Sequence, residues 1–275
     1  MKNVLIFGGT HGNEWTGIAV IKNYETYFKE KYPELRLNFI HANPEAYKLN
    51  KRFKDEDLNR AFEFVSENRG TYENQRAREL KELILNEECF VIDLHTTTSH
   101  MGKTIILSHY HPLNLKVSES ISKAFPDARI IGALDPNKKY LASQSETGLM
   151  VEVGPVANGI VEPKTLKETL ELLDKILAEL SQPGTSTGSF PLYEEVQDIY
   201  YPQNDAGEIT GFIHADLQGK DFVPVNGDYL AFESFSGVAI THKTNEILYP
   251  IFINEAAYYP TKLAFTLCRK INFKF

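Results

Sequence analysis

Phe7-Gly8-Gly9-Thr10-His11-Gly12-Asn13-Glu14-Trp15-Thr16-Gly17 decides how this chain is read. The apolar run Val4-Leu5-Ile6-Phe7 ahead of it reads as a buried strand. Two glycines break that strand, and a helical pattern begins near Asn13. His11 and Glu14 fall three positions apart on this strand-to-helix turn. An imidazole and a carboxylate so placed can close on one metal ion, and zinc accepts both donor types. Loops at the carboxyl ends of parallel strands are also where open α/β sheets place their sites. The plainer reading makes His11 a helix cap and Glu14 a solvated first-turn acid. Residues further along must decide between the two.

Outward from this stretch, strands and helices alternate. Helical periodicity covers Glu14 to Phe28, with Ile18, Ile21 and Tyr24 on one face. Leu37 to His41 reads as a strand, and Asn43-Pro44 stops it and opens a short helix. The charged run Asn50 to Arg60 has no period and reads as a loop leading into a helix. A helix follows over 72–86. Phe90-Val91-Ile92-Asp93-Leu94-His95 is the next strand. Short strands at Thr104–Ser108 and Ala128–Ile131, a helix at Leu115–Phe125, a strand at Leu149–Val153 and an amphipathic helix at Lys164–Leu180 complete the alternation. It predicts an α/β fold with a mixed, mainly parallel sheet flanked by helices. The small, polar run Ser181 to Gly188 marks a boundary. It divides a first domain, 1–182, from a smaller β-rich C-terminal domain, 189–275. In the latter, Asn226-Gly227 reads as a hairpin turn, and Gly237–Ile240 and Leu248–Ile253 read as separate strands.

Composition narrows the function. The chain has 275 residues, 42% of them hydrophobic, enough for a sizeable core. A net charge of −8 argues against a nucleic-acid partner. Its two cysteines, Cys89 and Cys268, form no disulfide framework and read as small buried side chains. No run approaches the ~20 apolar residues of a membrane span, and the N-terminus lacks the apolar stretch of a signal peptide. The expectation is a soluble, cytoplasmic protein with no membrane partner.

The third metal-ligand candidate is His95, at a strand end, with Asp93 two residues earlier to fix its tautomer. Two histidines and one glutamate would leave a zinc position open, the catalytic rather than the structural arrangement. The alternative is a core histidine satisfied by backbone. His41, His100, His109, His111, His214 and His242 lack this context. Glu152 lies inside an apolar strand. A carboxylate there must face a cavity, an ion or solvent, because burial without a partner is costly. Facing a metal, it would be the proton acceptor for the attacking water. Arg52, Asn59 and Arg60 form a cationic and amide patch suited to a carboxylate or an oxyanion, or else are ordinary solvated loop charges.

Five segments now read together: Gly8 to Glu14, Asp57-Leu58-Asn59-Arg60, Asp93 to Ser99, Val151-Glu152-Val153-Gly154-Pro155, and Ile253-Asn254-Glu255-Ala256-Ala257-Tyr258-Tyr259. In this order they closely resemble aspartoacylase and the succinylglutamate desuccinylase/aspartoacylase family, over nearly the whole chain. The resemblance implies a zinc carboxypeptidase-like catalytic domain and a C-terminal domain that narrows the substrate channel. It implies one zinc ion per subunit on His11, Glu14 and His95. Glu152 would be general base and then proton donor, and Arg52 the group that stabilises the oxyanion. Asn59, Arg60, Tyr140 and Tyr258 would hold the substrate, Arg60 and Tyr258 through its carboxylate. Glu255 would be structural support. A homodimer is expected by analogy.

The implied reaction is hydrolysis of an N-acyl amino acid, with N-acetyl-L-aspartate as the expected substrate, giving acetate and L-aspartate. Two departures bear on that substrate. A family arginine before the catalytic glutamate falls at Ala142 or Gln144, of which Gln144 could donate a neutral hydrogen bond. A family lysine before the Tyr-Pro of the second domain falls at Asp198. Deacylation of another N-acyl or N-succinyl amino acid, peptide cleavage by a metallocarboxypeptidase, and a zinc-binding interaction protein without turnover are the alternatives.

Overall fold

Residues 2–85 and 88–275 are described by the structure, a computed structural model. The opening run forms β1 (Lys2–Gly8) and pairs in parallel with β2 (Leu35–His41) on one side and β3 (Cys89–Thr96) on the other. β6 (Gly148–Gly154) lies parallel beyond β3, followed by β4 (Gly102–Leu107), antiparallel to β6, and β5 (Arg129–Gly132), parallel to β4. β3 and β6 are buried along their whole length, as expected of central strands covered on both faces.

The sheet sorts its side chains by alternation. Val4 and Ile6 of β1, with Phe90, Ile92 and Leu94 of β3, face one core. The helices on that face include α1 (Trp15–Asn23), α2 (Glu25–Lys31), α6 (Pro112–Ala124) and α7 (Pro163–Ser181). Leu5 and Phe7, with Val91 and Met150, face a second core against α4 (Leu58–Ala61) and α5 (Tyr72–Leu85). Period-two alternation puts Asp93, His95 and Glu152 on this second face.

The helix expected over 72–86 is observed as far as Leu85, and Asn86 lies outside the described residues. The single helix expected over 14–28 is two. Tyr24, at φ −117° and ψ 3°, leaves helical geometry and lets Phe28 bury against the core. α3 (Pro44–Lys48) starts where Asn43-Pro44 indicates, the Asn43 side chain accepting from the Ala46 amide at 3.2 Å.

β7 (Ser189–Tyr200) pairs in parallel with β5, so the β-rich C-terminal part continues the same sheet. Beyond it run β11 (Leu263–Lys274), β10 (Ala239–Ile251), β9 (Val225–Ser234) and β8 (Gly211–Ile213), all antiparallel. Two sequence expectations fail here. Asn226-Gly227 is no hairpin turn but lies within β9, and the two strands expected over 237–253 are the single β10. Between Thr244 and Leu248, β10 takes four steps against two on β9, from Gly227 to Val225, so the irregularity lies in β10 opposite Asn226-Gly227. Gly227, at φ +66°, stays within the paired strand.

The β1–α1 turn depends on two glycines. Gly9 sits at φ +72°, and the Gly12 amide donates to the Arg52 carbonyl at 3.1 Å. A Cβ on Gly12 would lie 2.2 Å from the Ala46 and Tyr47 backbone. Gly12→Ala should therefore destabilise the fold by about 1–3 kcal/mol, read as a lowered denaturation midpoint. An unchanged midpoint would show that the turn has room to give.

Candidate active site

His11 and Glu14 close the β1–α1 turn, the Glu14 amide donating to the His11 carbonyl at 3.1 Å. His11 Nδ1 stands 2.5 Å from Glu14 Oε1, and His95 Nδ1 stands 2.9 Å from Glu14 Oε2. The two imidazole centroids are 5.0 Å apart. One donor atom from each of the three residues lies within 4.8 Å of the others, and all three side chains are buried. Sequence positions 84 apart thus meet at one point, because β1 and β3 are neighbours in register.

The hydrogen bonds say what this point requires. His95 Nε2 donates to Asp93 Oδ2 at 2.7 Å, and Asp93 Oδ1 accepts from the Thr10 hydroxyl at 2.7 Å. With that proton committed, Nδ1 turns its lone pair on a Glu14 oxygen, acceptor against acceptor. Only a positive charge between them, proton or metal ion, makes the contact favourable. Among the described residues His11 Nε2 has no hydrogen-bond partner, and it faces Asp57 Oδ1 at 3.4 Å. Burial penalises a charge on His95, but Asp93 and Glu14 raise its pKa well above the ordinary imidazole range. Glu14, against its own burial, is held far below the usual carboxylate range by His11 and then His95. Two imidazoles around an ionised carboxylate fit a divalent metal ion.

Glu152 is the register partner of His95 across the β3–β6 ladder. Among the described residues its carboxylate has no hydrogen-bonding partner, and it lines the cavity beside the candidate metal-ligand group. Burial, with Glu14 and Glu255 adding to it, raises its pKa well above the carboxylate range although His95 opposes the shift. A buried carboxylate of that kind is suited to carrying a proton.

The opposite wall is cationic. Arg52 Nε donates to Asp57 Oδ2 at 2.9 Å, and its Nη1 lies 3.5 Å from Glu14 Oε1. Asp57 also caps α4 by accepting from the Asn59 amide at 2.9 Å. Asn59 Oδ1 accepts from the Leu141 amide at 3.0 Å and so holds the Tyr140 loop in place. The Arg60 guanidinium lies over the Tyr140 ring, 5.1 Å from its centre. Tyr258 packs edge-on to Phe252 at 5.6 Å.

Every one of the nine residues named from sequence for metal, proton transfer and substrate lines this one cavity. Asp93 stands behind His95. Gln144 is different. It is buried, and its side-chain amide donates to the carbonyls of Lys138 at 2.5 Å and Tyr140 at 3.0 Å. It does not line the cavity and has no amide proton to offer a substrate there. Ala142 is buried in the same turn.

Three residues have a larger part in the site than sequence alone suggests. Asp57 joins His11, Arg52 and the start of α4. Glu255 accepts from Thr98 N at 2.8 Å and Thr98 Oγ1 at 2.9 Å, and also from the Thr97 hydroxyl, which ties the C-terminal part to the loop after β3. Glu195, on β7, lines the far side of the cavity. Asp57 and Glu255 lie inside segments the sequence had singled out. Glu195 carries no such signal.

Comparison with known proteins identifies the family. The family model described as the succinylglutamate desuccinylase/aspartoacylase catalytic domain matches residues 1–180, and the AstE/AspA barrel-sandwich hybrid domain matches residues 188–270. This chain belongs to the succinylglutamate desuccinylase/aspartoacylase family. A probable aspartoacylase of Trichodesmium erythraeum is 34% identical, covering 98% of this chain and 97% of the relative. The human N-acyl-aromatic-L-amino acid amidohydrolase (carboxylate-forming) is 31% identical over 99% of this chain and 92% of its own length. The crystal structure of murine aminoacylase 3 superposes with a TM-score of 0.89 at 29% identity, covering 99% of this chain and 96% of that one. No helix among the described residues is long and apolar enough to cross a membrane.

Asp93 sets the His95 tautomer from behind, so Asp93→Asn should weaken divalent-metal affinity by about 10–100-fold. Competition against a chromophoric chelator measures it. Unchanged affinity would remove Asp93 from metal binding.

Proposed function

We propose that this chain is a zinc-dependent amidohydrolase that cleaves the amide of an N-acyl amino acid into a carboxylate and a free amino acid. One observation carries the reading. A buried, partnerless Glu152 stands in register beside His95, next to a donor set of two imidazoles and a carboxylate. That set, His11, Glu14 and His95, matches the ligand types of catalytic zinc sites. When bound, zinc polarises a carbonyl and makes water a nucleophile near neutral pH.

The chain's own residues do the rest. Glu152 accepts a proton from the attacking water as the new C–O bond forms. It then delivers that proton to the amide nitrogen as the C–N bond breaks, so the amine leaves neutral. The Arg52 guanidinium, fixed by Asp57 and by the Gly12–Arg52 backbone bond, stabilises the negative charge on the former carbonyl oxygen. Arg60 and Tyr258 take the substrate carboxylate. Arg60 pairs with no carboxylate among the described residues, so its fork is free for one. Asn59 keeps Tyr140 against Arg60.

The expected substrate, N-acetyl-L-aspartate, is supported by the family and by the names of relatives such as the Trichodesmium protein. N-acyl-aromatic amino acids have similar support from the vertebrate relatives. A peptide-cleaving carboxypeptidase and a zinc-binding protein without turnover remain the rivals to be tested.

Glu152→Ala should retain zinc and lose hydrolysis of N-acetyl amino acids by about 10²–10⁴-fold in kcat. Steady-state assay beside zinc analysis of the same preparation measures both. Full activity in Glu152→Ala, or wild-type turnover of peptides alone, would contradict the reading.

A further inference from the structure

The cavity runs along the sheet from the metal-ligand group to Glu195. His95 lies on β3 and Glu195 on β7, with β6, β4 and β5 between them. That is four strand spacings, or about 19 Å between backbones. The floor of this span is apolar, formed by Met150, Ile106 and Ala133, with Phe252 above. At its end the parallel ladder Ile131–Tyr193 and Gly132–Glu194 puts Ala133 and Glu195 next to one another.

β7 carries an extra residue at this point. Glu195 pairs with Cys268 and Gln197 with Leu267, so two steps on β7 match one on β11. The bulge at Val196 brings Glu195 and Asp198 to the same side, and both border the outer mouth of the cavity. Asp198 accepts from the Thr266 hydroxyl at 2.7 Å. Among the described residues, neither carboxylate has a cationic partner.

The cations of the cavity are few. Arg52 is held by Asp57, and Gln144 has spent its amide on backbone carbonyls. Of the two cavity arginines, Arg60 has no ion-pair partner among the described residues and so can pair with a substrate carboxylate. Resting on the deacylase reading above, we propose that Glu195 and Asp198 are specificity-determining residues. They favour N-acyl amino acids with a single carboxylate over those with a second one on the side chain or the acyl group, and so set N-acetyl-L-aspartate, the substrate the family name suggests, behind uncharged side chains. A group that reaches Glu195 along the apolar floor is uncharged or a hydrogen-bond donor. Both residues are exposed at the mouth, so their carboxylates act through the negative field there, which opposes entry of a doubly charged substrate more than that of an uncharged isostere.

N-acetyl-L-aspartate and N-acetyl-L-asparagine test this, since they differ by a charge at nearly constant shape. Desolvation of its carboxyl, and then the charge of Asp198 beside it, push the Glu195 pKa up to about 7, so the assay is run at pH 8, where the carboxylate is ionised. For the zinc-loaded wild type, kcat/KM should favour the asparagine substrate by about tenfold or more. For a substrate turned over too slowly, its Ki against N-acetyl-L-leucine hydrolysis gives the same ratio. Glu195→Gln should narrow the ratio by about tenfold, and Asp198→Asn should narrow it in the same direction. A wild-type preference for aspartate overturns the inference and needs no variant. So does a ratio unmoved by both substitutions. Failure to hydrolyse any N-acyl amino acid overturns the deacylase reading and this inference with it, whereas turnover with an aspartate preference overturns this inference alone.

Discussion

A glutamate held between two imidazoles that both present Nδ1 to it is the constraint on which the rest of the structure depends. A neutral His11 can donate its Nδ1 proton to the Glu14 oxygen 2.5 Å away, but the His95 Nδ1 contact at 2.9 Å is favourable only with a proton or a metal ion between the two atoms. Asp93, behind His95, claims the other ring proton and so sharpens the demand. In a buried site, unpaired charge is too costly to leave standing. A divalent ion answers the demand with the fewest further changes to the chain.

Around that point the fold supplies position. Parallel pairing of β1 with β3, and of β3 with β6, brings three carboxyl ends together and places Glu152 beside His95. The loop carrying Arg52 is fastened to the metal-side turn through the Gly12 amide. Asp57 fixes the guanidinium and starts α4, which sets Asn59 and Arg60. Glu255 fastens the C-terminal part over the β3 loop and, through the short helical segment Ala256–Thr261, presents Tyr258. Separate devices thus hold the reacting end and the carboxylate-binding end, as a site that must fix its groups to within fractions of an ångström requires.

Much of this was legible in the chain. Asp93, His95 and Glu152 lie within or at the end of apolar runs, where a polar residue needs a reason to be buried, and the other two candidate metal ligands, His11 and Glu14, follow such a run on a glycine turn. The alternation of strands and helices gave the layered sheet. What was not legible depends on partners distant in sequence. Asn226-Gly227 has the local chemistry of a turn, but pairing with β10 made it part of a strand. The break at Tyr24 has no glycine or proline to announce it. Glu195 is one of several exposed acids on β7, and only the β5–β7 ladder sets it at the edge of the cavity. Gln144 reads as a free amide until the carbonyls of Lys138 and Tyr140 are seen to occupy it.

X-ray absorption at the zinc edge, with metal stoichiometry on the same zinc-loaded sample, tests the central claim most directly. It should give one zinc ion per chain, coordinated by nitrogen and oxygen without sulfur, with two imidazole shells that fall to one in His95→Ala. Sulfur in the coordination sphere, or an imidazole count unchanged in His95→Ala, would contradict a metal site built on His11, Glu14 and His95.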